Sequence, residues 1–145
     1  MTSVTKCYPG RSANGKGDRV PTKAEQQLCR LYLEKEITLV NPRVVIPVGG
    51  LAIRQFYAAR LRLNEIIGTA AYIPPAVVAR GNNFTLRGAD LFLTAFDPDR
   101  PDGGRWVVPL PHPSGASLWP NRPENQALIE QAVGILRAVR EAGQL

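Results

Sequence analysis

The chain has 145 residues, 44% hydrophobic and 21% charged, enough for one domain with a single core and too apolar for a disordered segment. Eighteen Lys and Arg against 12 Asp and Glu give a net charge of +6, a balance suited to a polyanionic partner such as nucleic acid. Apolar runs are broken by Pro, Gly or Arg within a few residues, and the opening MTSVTKCYPG lacks the pattern of a signal peptide. No membrane partner is therefore expected, and the cytoplasm is the expected location.

Cys7 and Cys29 are the only cysteines. Two thiols are half a metal site at most, and a cytoplasmic setting argues against a disulfide. Between them lies a Gly-rich loop carrying Arg11, Lys16 and Arg19, which either follows a nucleic-acid backbone or is simply solvated. A helix is predicted from about Lys23 to about Val40. It is opened by a Thr22–Glu25 capping box, has Leu28, Leu31, Tyr32 and Leu39 on its apolar face, and is closed by Asn41-Pro42. Arg43 to Val48 reads as a buried β-branched strand, Gly49-Gly50 as a break, and Leu51 to about Leu61 as a second helix. Without a dinucleotide-binding or P-loop glycine pattern, the glycine pair predicts a tight turn rather than a phosphate cradle. The strand–glycine–helix order points to a parallel α/β sheet.

Gly68 to Gly104 reads as an irregular insertion with a hairpin from about Asn83 to Phe96, then a polar loop from Asp97. Trp106 to Leu110 is a second buried strand. It delivers Pro111-His112-Pro113-Ser114 at its C-terminal end, the end at which open α/β sheets bind ligands. The last helix starts near Pro123, carries Leu128, Ala132, Ile135 and Val139 at helical spacing, and stops at Gly143.

His112 is the only histidine. Flanking prolines restrict its backbone, and Ser114, Gly115, Ala116 and Ser117 make the following turn small and polar. One reading is a surface turn with an incidental histidine. The other is a rigidly presented imidazole that donates a hydrogen bond to charge developing on a leaving group, beside hydroxyls and amides that hold a phosphate.

The HPS loop after a buried strand resembles the second signature motif of the uracil-DNA glycosylase superfamily, and other segments agree in order. Thr5 to Gly10 resembles the KCxPP-like segment of the iron–sulfur-containing members, and Gly17 to Pro21 their NRxP segment. Cys29 to Leu33 resembles their CxxYL helix, and Asn41-Pro42 with Val45 to Ala52 their strand and helix around LGxxA. The resemblance implies a three-layer α/β/α fold with a central, mostly parallel sheet. It takes residues 1–145 as the C-terminal portion of one domain, with an irregular insertion at about 73–104. It also implies excision of uracil or another deaminated base from DNA, with the base flipped into a pocket. His112 would hydrogen-bond the uracil carbonyl as charge builds on the departing base. Ser114, Gly115, Ser117 and Arg19 would grip the DNA. Leu118 or Trp119 would wedge into the space left by the flipped nucleotide, the alternative being a staple onto the last helix. Such a protein is expected to be a monomer whose partner is DNA containing uracil or a damaged base.

The pattern departs from the family at its start. A GxAPG-type loop, which carries the residues that position the attacking water, is absent, as is an N-terminal CxxC. The N-terminal part of the fold is therefore expected to be missing. Cys7 and Cys29 would be two of the four thiolates of a 4Fe–4S cluster in a full-length form, with none expected on this chain alone. Ser3 falls in the base pocket, where the iron–sulfur members place an amide; a hydroxyl cannot reproduce that paired donor and acceptor. The rivals to the glycosylase reading are a catalytically inactive, truncated DNA-binding remnant and a small metal protein using Cys7, Cys29 and His112.

Overall fold

Thr22 and Glu25 open the first helix as their spacing predicts. The Thr22 Oγ1 accepts from the backbone N–H of Glu25 at 3.3 Å, and the Glu25 carboxylate accepts from that of Thr22 at 2.7 Å. In this computed structural model, which describes residues 1–58, 60–79, 92–93 (backbone), 95–100, 102–113 and 117–143, helix α1 spans Lys23–Val40. It ends at Asn41, whose left-handed φ of 43° suits a short polar side chain.

The buried stripe of α1 is Cys29, Leu33 and Ile37, whereas Leu28, Leu31, Tyr32 and Leu39, the expected inner face, are exposed. The two stripes lie one residue apart around the helix. Apolar spacing alone could not choose between them.

The Arg19 guanidinium forks onto the Glu25 carboxylate, with Nη1 donating at 2.8 Å and Nη2 at 2.5 Å. Arg19, followed by the Thr22 backbone and side chain, holds the Glu25 carboxyl at about 2, below its ordinary 4.5. A depressed carboxyl pKa contributes stability that is complete above about 4.5 and is lost as pH falls toward 2. The urea midpoint of unfolding is thus expected to drop between those pH values, and Glu25→Gln to flatten that drop.

The chain divides into two compact units, Met1–Asn41 and Pro42–Leu145. The second contains β1 (Val44–Val45), α2 (Gly49–Phe56), α3 (Leu63–Ile66), β2 (Ala70–Ile73) and α4 (Pro75–Ala79). It continues with β3 (Phe92–Leu93), β4 (Arg105–Val107), a 3-10 turn at Trp119–Asn121 and α5 (Pro123–Glu141). Sheet order is β1-β4-β2-β3. Only β1 and β4 run parallel; β2 is antiparallel to both β4 and β3. The fold is mixed α/β, and among the described residues one strand pairing is parallel and two are antiparallel, so a mostly parallel sheet is not borne out there. The stretch expected to be an irregular insertion is the reason. It supplies β2 and β3, and β2 is buried along its whole length. The hairpin expected between Asn83 and Phe96 lies largely outside the described residues.

Strand alternation divides the side chains between the two faces of the sheet. Ala70, Tyr72, Trp106 and Val108 pack with Ala132, Ile135 and Val139 of α5, and Phe96 closes over the cluster. The Trp106 ring lies 5.0 Å from both Tyr72 and Phe96, tilted at 52° and edge-on at 62°. At Gly104 a β-carbon would fall 2.0 Å from the Tyr72 hydroxyl oxygen, so only glycine lets this ring cross the strand entry. No helix among the described residues is long and apolar enough to cross a membrane.

Candidate active site

The parallel β1–β4 pair carries the site. The ladder continues beyond the regular strands: Val108 N–H donates to the Val45 carbonyl at 3.0 Å and Leu110 N–H to that of Pro47 at 3.0 Å. Gly49 N–H then donates back to the Leu110 carbonyl at 2.9 Å. This register brings the start of α2 beside the HPS loop, at the C-terminal ends of two adjacent parallel strands.

His112 is exposed at that end, with one flank against Gly49. A β-carbon on Gly49 would lie 3.0 Å from His112 Cδ2 and 3.2 Å from its Cβ. Gly49 also has φ +80°, a conformation other L-residues rarely adopt. Its N–H is committed to Leu110, and the glycine pair opens α2 instead of forming the separate tight turn read from sequence, with Gly49 seating the imidazole. Gly49→Ala should cost about 1–2 kcal/mol of stability through the left-handed backbone alone. It should also displace His112. Urea denaturation and the imidazole NMR signals of His112 measured together check this; a variant matching the parent in both would show that the seat is dispensable.

The neighbouring loop is only partly described. Ser114 and Gly115, both expected to grip the DNA backbone, lie outside the described residues. Ser117 is half-buried, and Leu118 stands 73% exposed ahead of the 3-10 turn. Asn125, 5% exposed, donates from Nδ2 to the Trp119 carbonyl at 2.8 Å and ties that turn to the first turn of α5. Of the two wedge candidates, Leu118 projects and Trp119 is half-buried.

The remaining expected site residues belong to the first unit. Ser3 is exposed and donates from its hydroxyl to the Thr5 carbonyl at 2.6 Å. Arg19 is forked onto Glu25, which stiffens the base of the Gly-rich loop instead of presenting a guanidinium outward. The loop is an ordered turn. Arg11 and Asp18 form an antiparallel bridge, Arg19 N–H donates to the Gly10 carbonyl at 3.0 Å, and the Tyr8 hydroxyl donates to Asp18 at 2.9 Å. That bond to Asp18 raises the Tyr8 pKa. Arg11 and Lys16 are the exposed cations of this turn.

Cys29 is buried and accepts a hydrogen bond at its Sγ from the Lys6 backbone N–H at 3.3 Å, one residue before the exposed Cys7. An N–H donor onto sulfur suits a thiolate ligand. No group of three His, Cys, Asp or Glu poised for a metal occurs among the described residues, and a four-thiolate cluster cannot be completed by two cysteines.

Gly49 as the seat of His112 is the part of the site that sequence reasoning missed, because Gly49 sits 63 residues upstream of His112 in a different motif. No curated protein matches the chain. The family model described as the uracil DNA glycosylase superfamily matches residues 1–137, nearly the full length, and the chain therefore belongs to that superfamily.

Proposed function

We propose that the protein is a base-excision DNA glycosylase that hydrolyses the N-glycosidic bond of uracil or another deaminated base. The observation that carries this reading is His112, held against Gly49 at the C-terminal end of the parallel β1–β4 pair in a member of this superfamily. The C1′–N bond breaks with its electron pair leaving on the base, and the His112 imidazole donates a hydrogen bond to the base carbonyl where that negative charge collects. Water adds its oxygen to C1′ and gives up a proton, which the departing base anion takes up, leaving an abasic site and free base. Leu118, projecting beside the loop, fills the space vacated by the flipped nucleotide. Ser114, Gly115 and Ser117 hold the flanking phosphate. Arg11 and Lys16 are better placed than Arg19 for further backbone contact, because Glu25 engages Arg19. Ser3 remains the base-pocket candidate. Cys7 and Cys29 would supply two of the four thiolates of a 4Fe–4S cluster.

The test is release of free base from oligonucleotides containing uracil, hypoxanthine or xanthine, single-stranded and duplex. Inertness on all of them sinks the catalytic reading. A second reading, a non-catalytic DNA-binding protein, is favoured by one observation: no GxAPG-type water-positioning loop occurs in the 145 residues. It predicts salt-sensitive DNA binding with no abasic sites formed.

A further inference from the structure

Asn125 and Arg105 are the two polar or charged side chains buried among the described residues. Asn125 sits at the third position of α5, where asparagine is a poor helix former and a buried amide needs a partner. Arg122 leaves α5 without a side-chain cap, and Asn125 does not supply one. Its amide reaches back instead and donates to the Trp119 carbonyl at 2.8 Å, in the turn that precedes the helix. Pro120 within that turn has no N–H to give. The two backbone bonds that close the turn are longer, from Asn121 N–H to the Leu118 carbonyl at 3.2 Å and from Arg122 N–H to the Trp119 carbonyl at 3.4 Å. The side-chain bond is the shortest of the three.

One residue before the anchored carbonyl stands Leu118, the most exposed large apolar side chain described in Pro42–Leu145. An exposed leucine is ordinary by itself. A buried amide committed to the backbone beside it is not. A side chain that enters the gap left by a flipped base loses conformational freedom as it does so, and a backbone fixed beforehand removes part of that cost from the flipping step. We propose that Asn125 is a positioning residue, whose amide fixes the Trp119 turn and thereby presents Leu118 ready to enter the base stack. This rests on the reading of Leu118 as the wedge. Asn125 acts through the turn alone, and His112 works independently of it. Its effect is therefore largest in duplex DNA, where a paired and stacked base must be extruded, and smaller in a single strand, where extrusion costs least.

The experiment compares single-turnover excision of uracil from a duplex and from the same strand unpaired. The proteins are the intact parent, Asn125→Ala, Asn125→Asp, Leu118→Ala and the double variant Leu118→Ala/Asn125→Ala, each verified as folded by thermal unfolding. Asn125→Asp keeps the shape of the side chain but puts an acceptor where the Trp119 carbonyl needs a donor. The ratio of duplex to single-strand rates should fall about three- to tenfold in both Asn125 variants, the worth of one hydrogen bond. Adding Asn125→Ala to Leu118→Ala should lower the ratio no further, because the two act through one group. A 2-aminopurine placed beside the uracil gives a readout that needs no turnover. Saturating parent should brighten it in the duplex as the stack opens, and the Asn125 variants should brighten it less. Equal falls in the two rates, with the ratio unchanged, make Asn125 a part of the framework only and overturn the proposal. Full brightening by the Asn125 variants, or additive effects in the double variant, overturns it as well. If Leu118→Ala leaves both ratio and brightening as in the parent, or the parent neither excises uracil nor brightens the duplex, the wedge reading fails and this proposal falls with it.

Discussion

Replacing His112 by alanine is expected to slow base excision by about 100- to 1,000-fold, the usual effect of deleting one preorganised donor to charge that develops in a transition state. The residue is exposed at the end of a parallel strand pair and contributes little to the core. The stability of the variant should therefore stay within about 0.5 kcal/mol of the parent. Its affinity for uracil-free DNA should stay within about twofold, because phosphate contacts rest on other groups. His112→Gln keeps an N–H donor in a different geometry and should recover part of the rate. Single-turnover excision by the three proteins, alongside DNA binding, separates the roles. If His112→Ala excises as fast as the parent, the imidazole is not the donor. If binding and rate fall together, it is a DNA contact instead.

The second large effect concerns the framework behind the site. Trp106 is 1% exposed, lies on the strand that leads into the HPS loop, and touches both Tyr72 and Phe96 at 5.0 Å. Truncating it to alanine should cost about 3–5 kcal/mol, through lost burial and the cavity left between β4 and α5. That is a large part of the 5–15 kcal/mol by which ordinary domains are stable, so the variant should be close to unfolding at 37 °C. Trp106→Phe keeps an aromatic ring and should lose less than half as much. Urea denaturation followed by circular dichroism gives both values. Equal, small losses in the two variants would mean that Trp106 is not a packed part of the core.

The pH dependence expected from Glu25 and the strain expected at Gly49 probe different ends of the chain. Glu25 reports on the cap of α1, and Gly49 on the approach of α2 to the HPS loop. Glu25→Gln should leave excision nearly untouched while altering acid stability. Gly49→Ala should alter both stability and excision.

Elements governed by local chemistry were readable from the chain. The Thr22–Glu25 box and the Asn41-Pro42 stop bounded α1, and Pro123 and the left-handed Gly143 bounded α5. In each case neighbouring residues satisfy or deny the helix's own terminal donors and acceptors, which is a short-range matter. The order of short motifs ending in Pro111-His112-Pro113-Ser114 was likewise enough to recognise the superfamily.

What remained closed to sequence depends on contacts between distant segments. The inner stripe of α1 turned on one residue of rotation. The direction of β2 turned on its pairing with β4, across more than thirty intervening residues. Arg54, Arg60 and Arg62, spread through a largely apolar stretch, line one cavity only because α2 and α3 fold toward each other. The sequence by itself determined the ends of α1 and α5, the family and the identity of the histidine, whereas the helix read from Leu51 to about Leu61 spans Gly49–Phe56. The tertiary structure decided what stands beside that histidine, because hydrogen-bonded strand register, not spacing along the chain, brings Gly49 and His112 together.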